Sequence, residues 1–474
     1  MNDTTVPTTG GTIAGRSDAG IRRFLGIPYA LPPFGEHRFG LPQPVPAWDG
    51  EFRATDFGPT APQSPYPGAI GKLLPSVAIA GENILTLNIW APEDAAGAPV
   101  MVWIHGGALE RGTSALPSYD GTSFARDGVV FVSINYRLGA EGFSVLDGVP
   151  RNLGLEDAAA AVHWVQREIA AFGGDPARVT IFGESAGGAI VAALASRPDV
   201  RGALAGAIVQ SGPLDAEPVE RAARVTAAIA KHLGIPATRE AFADVPPERL
   251  VAARDALAAR SSLLRSAPGH TIALDPVSLP VSPRTAVGDA EFPLLIGTNT
   301  DEYRLWFTPD ALQRLNRVAP AVALLGMKVP FRAWRAYRDA LPSASSAERL
   351  GQVFTDRVLR VPAIELASAR SAPTWVYEFA WQSPVRDLRA AHALEIGFVF
   401  DGVQDDASIA LAGPDAPVSL AQRMHADWVR FAFTGSPGWD TWTADADGPV
   451  QRYDVDSSPV PLPRAAALHV LSRS

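Results

Sequence analysis

The chain of 474 residues carries 41 basic and 50 acidic side chains, a formal net charge of -9, and 47% hydrophobic residues. That acidity, with no Lys/Arg-rich run, argues against nucleic acid or an anionic membrane as a principal partner. The absence of cysteine excludes disulfides, thiolate zinc sites, iron–sulfur clusters and a thiol nucleophile. The opening Met1-Asn2-Asp3-Thr4-Thr5-Val6 has neither the basic nor the apolar region of a signal peptide. No stretch approaches the about 20 uninterrupted apolar residues of a membrane span. The expected setting is cytoplasmic.

In chain order, Val100–Ile104, Val129–Ile134 and Val179–Phe182 are short apolar runs. Ala207–Val209, Leu294–Ile296 and Trp375–Phe379 continue the series. Such runs suit strands buried on both faces, hence a mostly parallel sheet covered by helices. Between the second and third runs, Leu155, Val162, Val165, Ile169 and Phe172 recur at helical spacing, and Gly173-Gly174-Asp175-Pro176 stops the helix. This strand–helix alternation predicts α/β architecture. Two excursions interrupt it. Residues 215–262 read as two or three helices, broken near Gly234-Ile235-Pro236 and Val245-Pro246-Pro247. Residues 309–350 read as helical, with Trp334, Tyr337 and Leu341 at helical spacing. Insertions of this kind commonly cap the carboxyl end of a sheet, where ligands bind. The expectation is one catalytic domain over 1–474 with a helical cap.

Val179–Phe182 runs into Gly183-Glu184-Ser185-Ala186-Gly187-Gly188, a strand, a tight turn and a helix start. A Gly-x-Ser-x-Gly turn in that setting is the nucleophile elbow of α/β-hydrolases, and its small neighbours let strand and helix close on each other. The motif occurs once and makes Ser185 the candidate nucleophile. Upstream, His105-Gly106-Gly107-Ala108-Leu109 follows the first strand and matches a loop whose amides hold a tetrahedral oxyanion. The donors are expected from Gly107, Ala108 and Ala186, with Gly106 a flexible approach and His105 a brace for the loop.

The chain order of this fold requires an acid and then a histidine after the serine. The acid falls at Asp301 or Glu302, after Leu294-Leu295-Ile296-Gly297-Thr298-Asn299. His392, His425 and His469 follow. Position does not separate the two acids; His392, in a loop, is the best placed histidine. His425 shares a helical stretch with Trp428 and Phe431, and His469 is near the end of the chain.

The sequence resembles the type-B carboxylesterases, in the bacterial branch similar to para-nitrobenzyl esterases, over nearly its whole length. The resemblance rests on Phe24-Leu25-Gly26-Ile27-Pro28-Tyr29-Ala30, Glu82 through Trp90, the His105 loop, Asn135-Tyr136-Arg137-Leu138-Gly139 and Asn152-Leu153-Gly154-Leu155-Glu156-Asp157. It continues through the elbow, Gln210-Ser211-Gly212, Asp301-Glu302 and His392-Ala393-Leu394-Glu395. It implies the α/β-hydrolase fold, with Glu302 as the acid and His392 as the base serving Ser185. It further implies a buried polar cluster of Glu184, Ser211 and Glu395 behind these three, and an ion pair between Arg38 and Glu82.

Three departures from the family pattern involve four residues. Ile84 replaces a cysteine, Ala158 a glutamine, and Glu110-Arg111 stand where relatives place aromatic or small residues. Leu109 and Trp306 are candidate pocket walls. The implied reaction is hydrolysis of a small-molecule ester through an acyl-enzyme, by a monomer without metal or organic cofactor. A carbamate or amide hydrolase using the same triad is the alternative, and a non-catalytic adhesion homologue is a third reading.

Overall fold

The computed structural model describes residues 2–260, 268–307, 324, 326 and 329–473. The six apolar runs all form strands. In chain order the strands are β1 (Asn2–Pro7), β2 (Thr12–Asp18), β3 (Ile21–Pro28), β4 (Glu51–Arg53) and β5 (Thr86–Pro92). Then come β6 (Ala98–Ile104), β7 (Val130–Ile134), β8 (Gly174–Glu184) and β9 (Leu204–Gln210). Last are β10 (Leu294–Asn299), β11 (Thr374–Phe379), β12 (Val450–Tyr453) and β13 (Ser458–Val460). One sheet holds them in the order β1-β2-β3-β5-β7-β6-β8-β9-β10-β11-β12-β13, with β4 beside β2.

From β7 to β12 every neighbouring pair is parallel, and both margins are antiparallel apart from the parallel pair of β4 with β2. The parallel strands are the apolar ones because helices cover both of their faces. From β6 the chain steps to β7 on one side and to β8 on the other, so the strand order reverses there. A crevice opens at the carboxyl ends beside such a reversal, and that is where ligands bind in open α/β sheets.

The predicted helix spans Leu153–Glu168 and continues as a 3-10 turn, Ile169–Phe172. Leu155, Val162, Val165, Ile169 and Phe172 are fully buried, and Gly173, at φ 91°, closes it in the left-handed conformation. The first excursion holds helices Val219–Leu233, Arg239–Ala243 and Pro247–Ala258, broken at the expected turns. Of the second, residues 309–323, 325, 327 and 328 lie outside the described residues. Phe331–Ala340 and Ser346–Thr355 are helices, and Tyr337 is buried. No helix among the described residues is long and apolar enough to cross a membrane.

The expected Arg38–Glu82 pair does not form. Glu82 is exposed, and Arg38 makes a two-pronged bond to buried Glu141, at 3.1 and 2.5 Å. Its remaining donors bond the carbonyls of Ala243 and Val245 at 2.8 Å. A buried guanidinium needs this many acceptors, and an exposed glutamate supplies none of that enclosure.

A second buried pair joins the loop after β7 to the long helix. Arg137 bonds Asp157 at 2.7 and 2.6 Å, and the Arg137 amide donates to the same carboxylate at 3.0 Å. Both side chains are essentially solvent-free. Asp157→Ala strands the Arg137 charge, so the unfolding free energy from urea titration should fall by about 3 kcal/mol. A loss under about 1 kcal/mol would show that the pair does not hold the loop.

Candidate active site

The end of β8 sets the geometry. Ile104 of β6 pairs with Gly183 of β8, and the helix Ala186–Ser196 begins directly beneath. A Cβ on Gly183 would lie 2.5 Å from the Ile104 carbonyl oxygen, and one on Gly187 would collide with that same oxygen. Two glycines are therefore required for strand, turn and helix to meet. The chain makes the turn at Ser185, with φ 55° and ψ -122°, a conformation costly for any side-chain-bearing residue. The Ser185 amide is tied to the Gln210 carbonyl at 2.9 Å.

The loop from β6 lies beside this turn. Gly107 and Ala108 have φ of 115° and 58°. Among the described residues, the amides of Gly107, Ala108 and Ala186 donate to no protein group. Such free amides beside a helix N-terminus favour a developing negative charge. Gly106 serves close packing more than flexibility: a Cβ there would sit 2.8 Å from Glu184 Oε2. His105 is turned away from the centre. Its Nδ1 lies 2.8 Å from the Gly106 carbonyl and its ring stacks on Tyr136. Burial pushes its imidazole down to about 4 despite that backbone bond.

Sequence position left the acid open; the geometry separates the candidates. Glu302 Oε2 lies 2.5 Å from His392 Nδ1. Asp301 faces Arg304 at 3.7 Å. Glu302 Oε1 accepts from Ser211 Oγ at 2.6 Å and from the Asn299 amide at 2.7 Å, so its remaining oxygen is fixed toward the imidazole. A carboxylate only accepts, so Nδ1 carries the proton of this bond, and Nε2 lies buried on the other side of the ring. His425 is packed between Phe124, the Val399 carbonyl and Asp127, and His469 pairs with Asp447 at the surface.

Two members of the expected polar cluster do lie behind the imidazole. Ser211 bonds Glu302, and Glu395 accepts from Asn299 Nδ2 at 2.6 Å. Glu184 is different. Standing immediately before Ser185, it is carried beside the imidazole, with Oε1 3.0 Å from His392 Nε2 but without hydrogen-bond geometry. Burial, with Glu395 and Glu302 nearby, pushes the Glu184 carboxyl up to about 8, against the pull of His392. Burial and Glu302 push Glu395 up to about 7. His392 is opposed by burial, yet Glu184 and Glu302 lift its imidazole to about 9.

Two cavities meet at this centre and share Ala108, Ser185, Trp306 and His392. The narrower, about 130 Å³, is walled by Tyr66, Tyr119 and Leu116. The wider, about 500 Å³, is walled by Leu109, Ile272, Phe307 and Phe354. Trp306 is 43% exposed, with its ring 4.7 Å from the imidazole. Tyr66, on a proline-dense coil, and Phe354 went unsingled in the sequence. An aromatic amid prolines was the only local signal for Tyr66.

A serine on a strand-to-helix elbow, sharing two cavities with an imidazole braced by a carboxylate, defines a serine hydrolase of the α/β-hydrolase fold. Residues 2–460 match the carboxylesterase family. The chain is 37% identical to the para-nitrobenzyl esterase of Bacillus subtilis (strain 168), over 94% of this chain and 93% of that one. It is 33% identical to the phenmedipham hydrolase of Pseudarthrobacter oxydans, over 92% of each. The crystal structure of a Geobacillus stearothermophilus carboxylesterase superimposes with a TM-score of 0.87 at 34% identity, over 99% of this chain and 100% of that one. The chain belongs to the carboxylesterase family and is a carboxylic ester hydrolase.

The charge beside Nε2 gives a direct test. Glu184→Gln removes a carboxyl that ionises at about 8, before His392 titrates, and then favours the imidazolium, so the His392 pKa should fall by about one pH unit or more. Histidine NMR titration measures it, and an unchanged or higher value would refute the electrostatic account.

Proposed function

We propose that the enzyme hydrolyses small to medium carboxylic esters through an acyl-enzyme on Ser185, with His392 as general base and acid and Glu302 orienting it. The observation that carries this reading is the 2.5 Å Glu302–His392 contact, which leaves Nε2 without a hydrogen-bond partner in the space that both cavities share with Ser185. An ester bound there has its carbonyl at the junction and its acyl and alkoxy groups in the two cavities.

Nε2 takes the Ser185 proton as Oγ attacks the carbonyl carbon. The oxyanion accepts from the Gly107, Ala108 and Ala186 amides, each donor typically worth about 3 kcal/mol. Glu302 stabilises the imidazolium without taking its proton. Collapse transfers the proton from Nε2 to the leaving alcohol. Water then attacks the acyl-enzyme in the same way, releasing the acid and restoring Ser185. Leu109 and Trp306 act as pocket walls; Glu184, Ser211 and Glu395 tune the imidazole.

The same reading takes the chain as one catalytic domain capped by the excursions at 215–262 and 309–350, working as a cytoplasmic monomer without metal or organic cofactor. The continuous sheet and the bonds between the oxyanion loop and helix Pro247–Ala258 support the single-domain part. Carbamate hydrolysis by the same three residues is the second reading, favoured by the similarity to phenmedipham hydrolase.

Ser185→Ala should lower kcat on para-nitrophenyl butyrate by about 10⁴-fold or more. Stopped-flow and intact-mass measurements on the unsubstituted enzyme should find a Ser185-bound acyl group. Activity that survives the substitution would sink the mechanism, and turnover confined to para-nitrophenyl carbamates would select the second reading.

A further inference from the structure

Glu110 and Arg111, the charged pair after the oxyanion loop, engage the cap and leave the reacting centre alone. Glu110 Oε1 accepts from Arg254 Nε at 2.7 Å and lies 3.1 Å from His270 Nδ1. Arg111 bonds Asp255 at 3.2 Å and the Ser64 carbonyl at 3.0 Å. Arg254 and Asp255 belong to helix Pro247–Ala258. The segment after His270 is pinned in turn: the Asn152 side chain donates to the Ala273 carbonyl and accepts from its amide, both at 2.8 Å. His270 is thereby a fixed group, with its side chain 1% exposed.

Burial pushes the Glu110 carboxyl up, but the bonds from His270 and Arg254 prevail and hold it down to about 2. An ionised carboxylate has no proton to give, so the His270–Glu110 bond is made by the proton on Nδ1; in the neutral ring Nε2 is then the acceptor. Nε2 is buried and has no hydrogen-bond partner among the described residues; the same holds for Oγ1 of the next residue, Thr271. Both residues line the wider cavity, beside the apolar side chains of Leu109, Ile272, Phe354 and Leu359. Buried polar atoms in an apolar wall are costly when unmet, and ligand pockets use a few such atoms to fix orientation.

We propose that His270 and Thr271 form a polar subsite that selects esters whose substituent in the wider cavity carries a hydroxyl group. A hydroxyl donates to His270 Nε2 and accepts from the Thr271 hydroxyl, meeting both atoms at once. An ether or alkyl group of the same size leaves the acceptor at Nε2 unmet. The assignment rests on the catalytic reading above, which puts one side of the ester in this cavity.

The test compares para-nitrophenyl esters of straight-chain acids ending in hydroxyl, methoxy or methyl, at each of several chain lengths. A mirrored series carries the same groups on the alkoxy side of butyrate esters, which distinguishes the acyl from the alkoxy occupant. The readout is the ratio of kcat/KM for hydroxyl over methoxy, in which the amount of folded enzyme cancels. One hydrogen bond of this kind predicts a ratio of up to about ten in one series for the unsubstituted enzyme. In His270→Phe the ratio should drop to about one. His270→Gln, which keeps an acceptor, should retain part of it, and Thr271→Val should lose part. A ratio near one in both series of the unsubstituted enzyme overturns the assignment, with water then meeting Nε2. So does a preference that survives His270→Phe and His270→Gln. Failure to turn over any ester would overturn the catalytic reading along with it, whereas turnover without preference removes this assignment alone.

Discussion

The carbonyl of Ile104 is the fixed point of the molecule. It lies where β6, β8 and the helix Ala186–Ser196 meet, too close to Gly183 and Gly187 to admit a Cβ on either. That crowding makes the turn at Ser185 strained, because no relaxed chain reverses direction in so short a space. The same carbonyl belongs to the residue that launches His105–Ala108, so one close contact sets both the serine and the free amides beside it. Their relative position follows from sheet register and owes nothing to loop flexibility, which is the arrangement a preorganised oxyanion site requires.

The electrostatic counterpart is three glutamates around one imidazole, all buried. Three full charges so close would repel strongly in a site of low dielectric. The neighbours divide the work unequally. Glu302 is supplied with donors by Ser211 and Asn299. Glu184 is pushed up to about 8 by burial with Glu395 and Glu302 nearby, and Glu395 to about 7 by burial and Glu302. The imidazole among them is nonetheless lifted to about 9, so the free site favours the imidazolium, and the share of His392 able to take a proton grows as pH rises toward that value.

What was legible in the sequence follows from how burial shapes composition. Strands β6 to β11 are covered on both faces, so each reads as an apolar run. β1 and β2 show at most one face to the core and carry polar residues such as Asn2, Asp3, Arg16 and Asp18, so they left no such mark. The elbow was legible because its glycines answer a steric demand that no other residue meets. The choice between Asp301 and Glu302 was not, because adjacent carboxylates differ only in which way the chain turns them. Glu141 as the partner of Arg38, and His270 as the partner of Glu110, lie 103 and 160 residues from their mates. The one sequence signal for His270 was indirect: a charged pair beside an oxyanion loop needs countercharges from somewhere.

That need ties helix Pro247–Ala258 to the loop after β6. The Gly107 carbonyl accepts from the amides of Glu110 and Arg111, at 3.1 and 2.9 Å, so one turn both shapes the loop at Ala108 and places the Glu110 carboxylate. Leu109 is held by its own carbonyl, which accepts from Gly139 at 2.7 Å. Beyond the turn, Glu110 is satisfied by a helix that begins at Pro247. A cap sequence lacking Arg254 would leave a mostly buried carboxylate short of its cation, at a typical cost of about 3 kcal/mol or more. The strain would fall on the turn that shapes the oxyanion loop. Cap and loop cannot vary independently in this chain: a change that reshapes the wider cavity must keep Glu110 paired or replace it too. The wider cavity and the turn at Ala108 are thus coupled through a single carboxylate, Glu110.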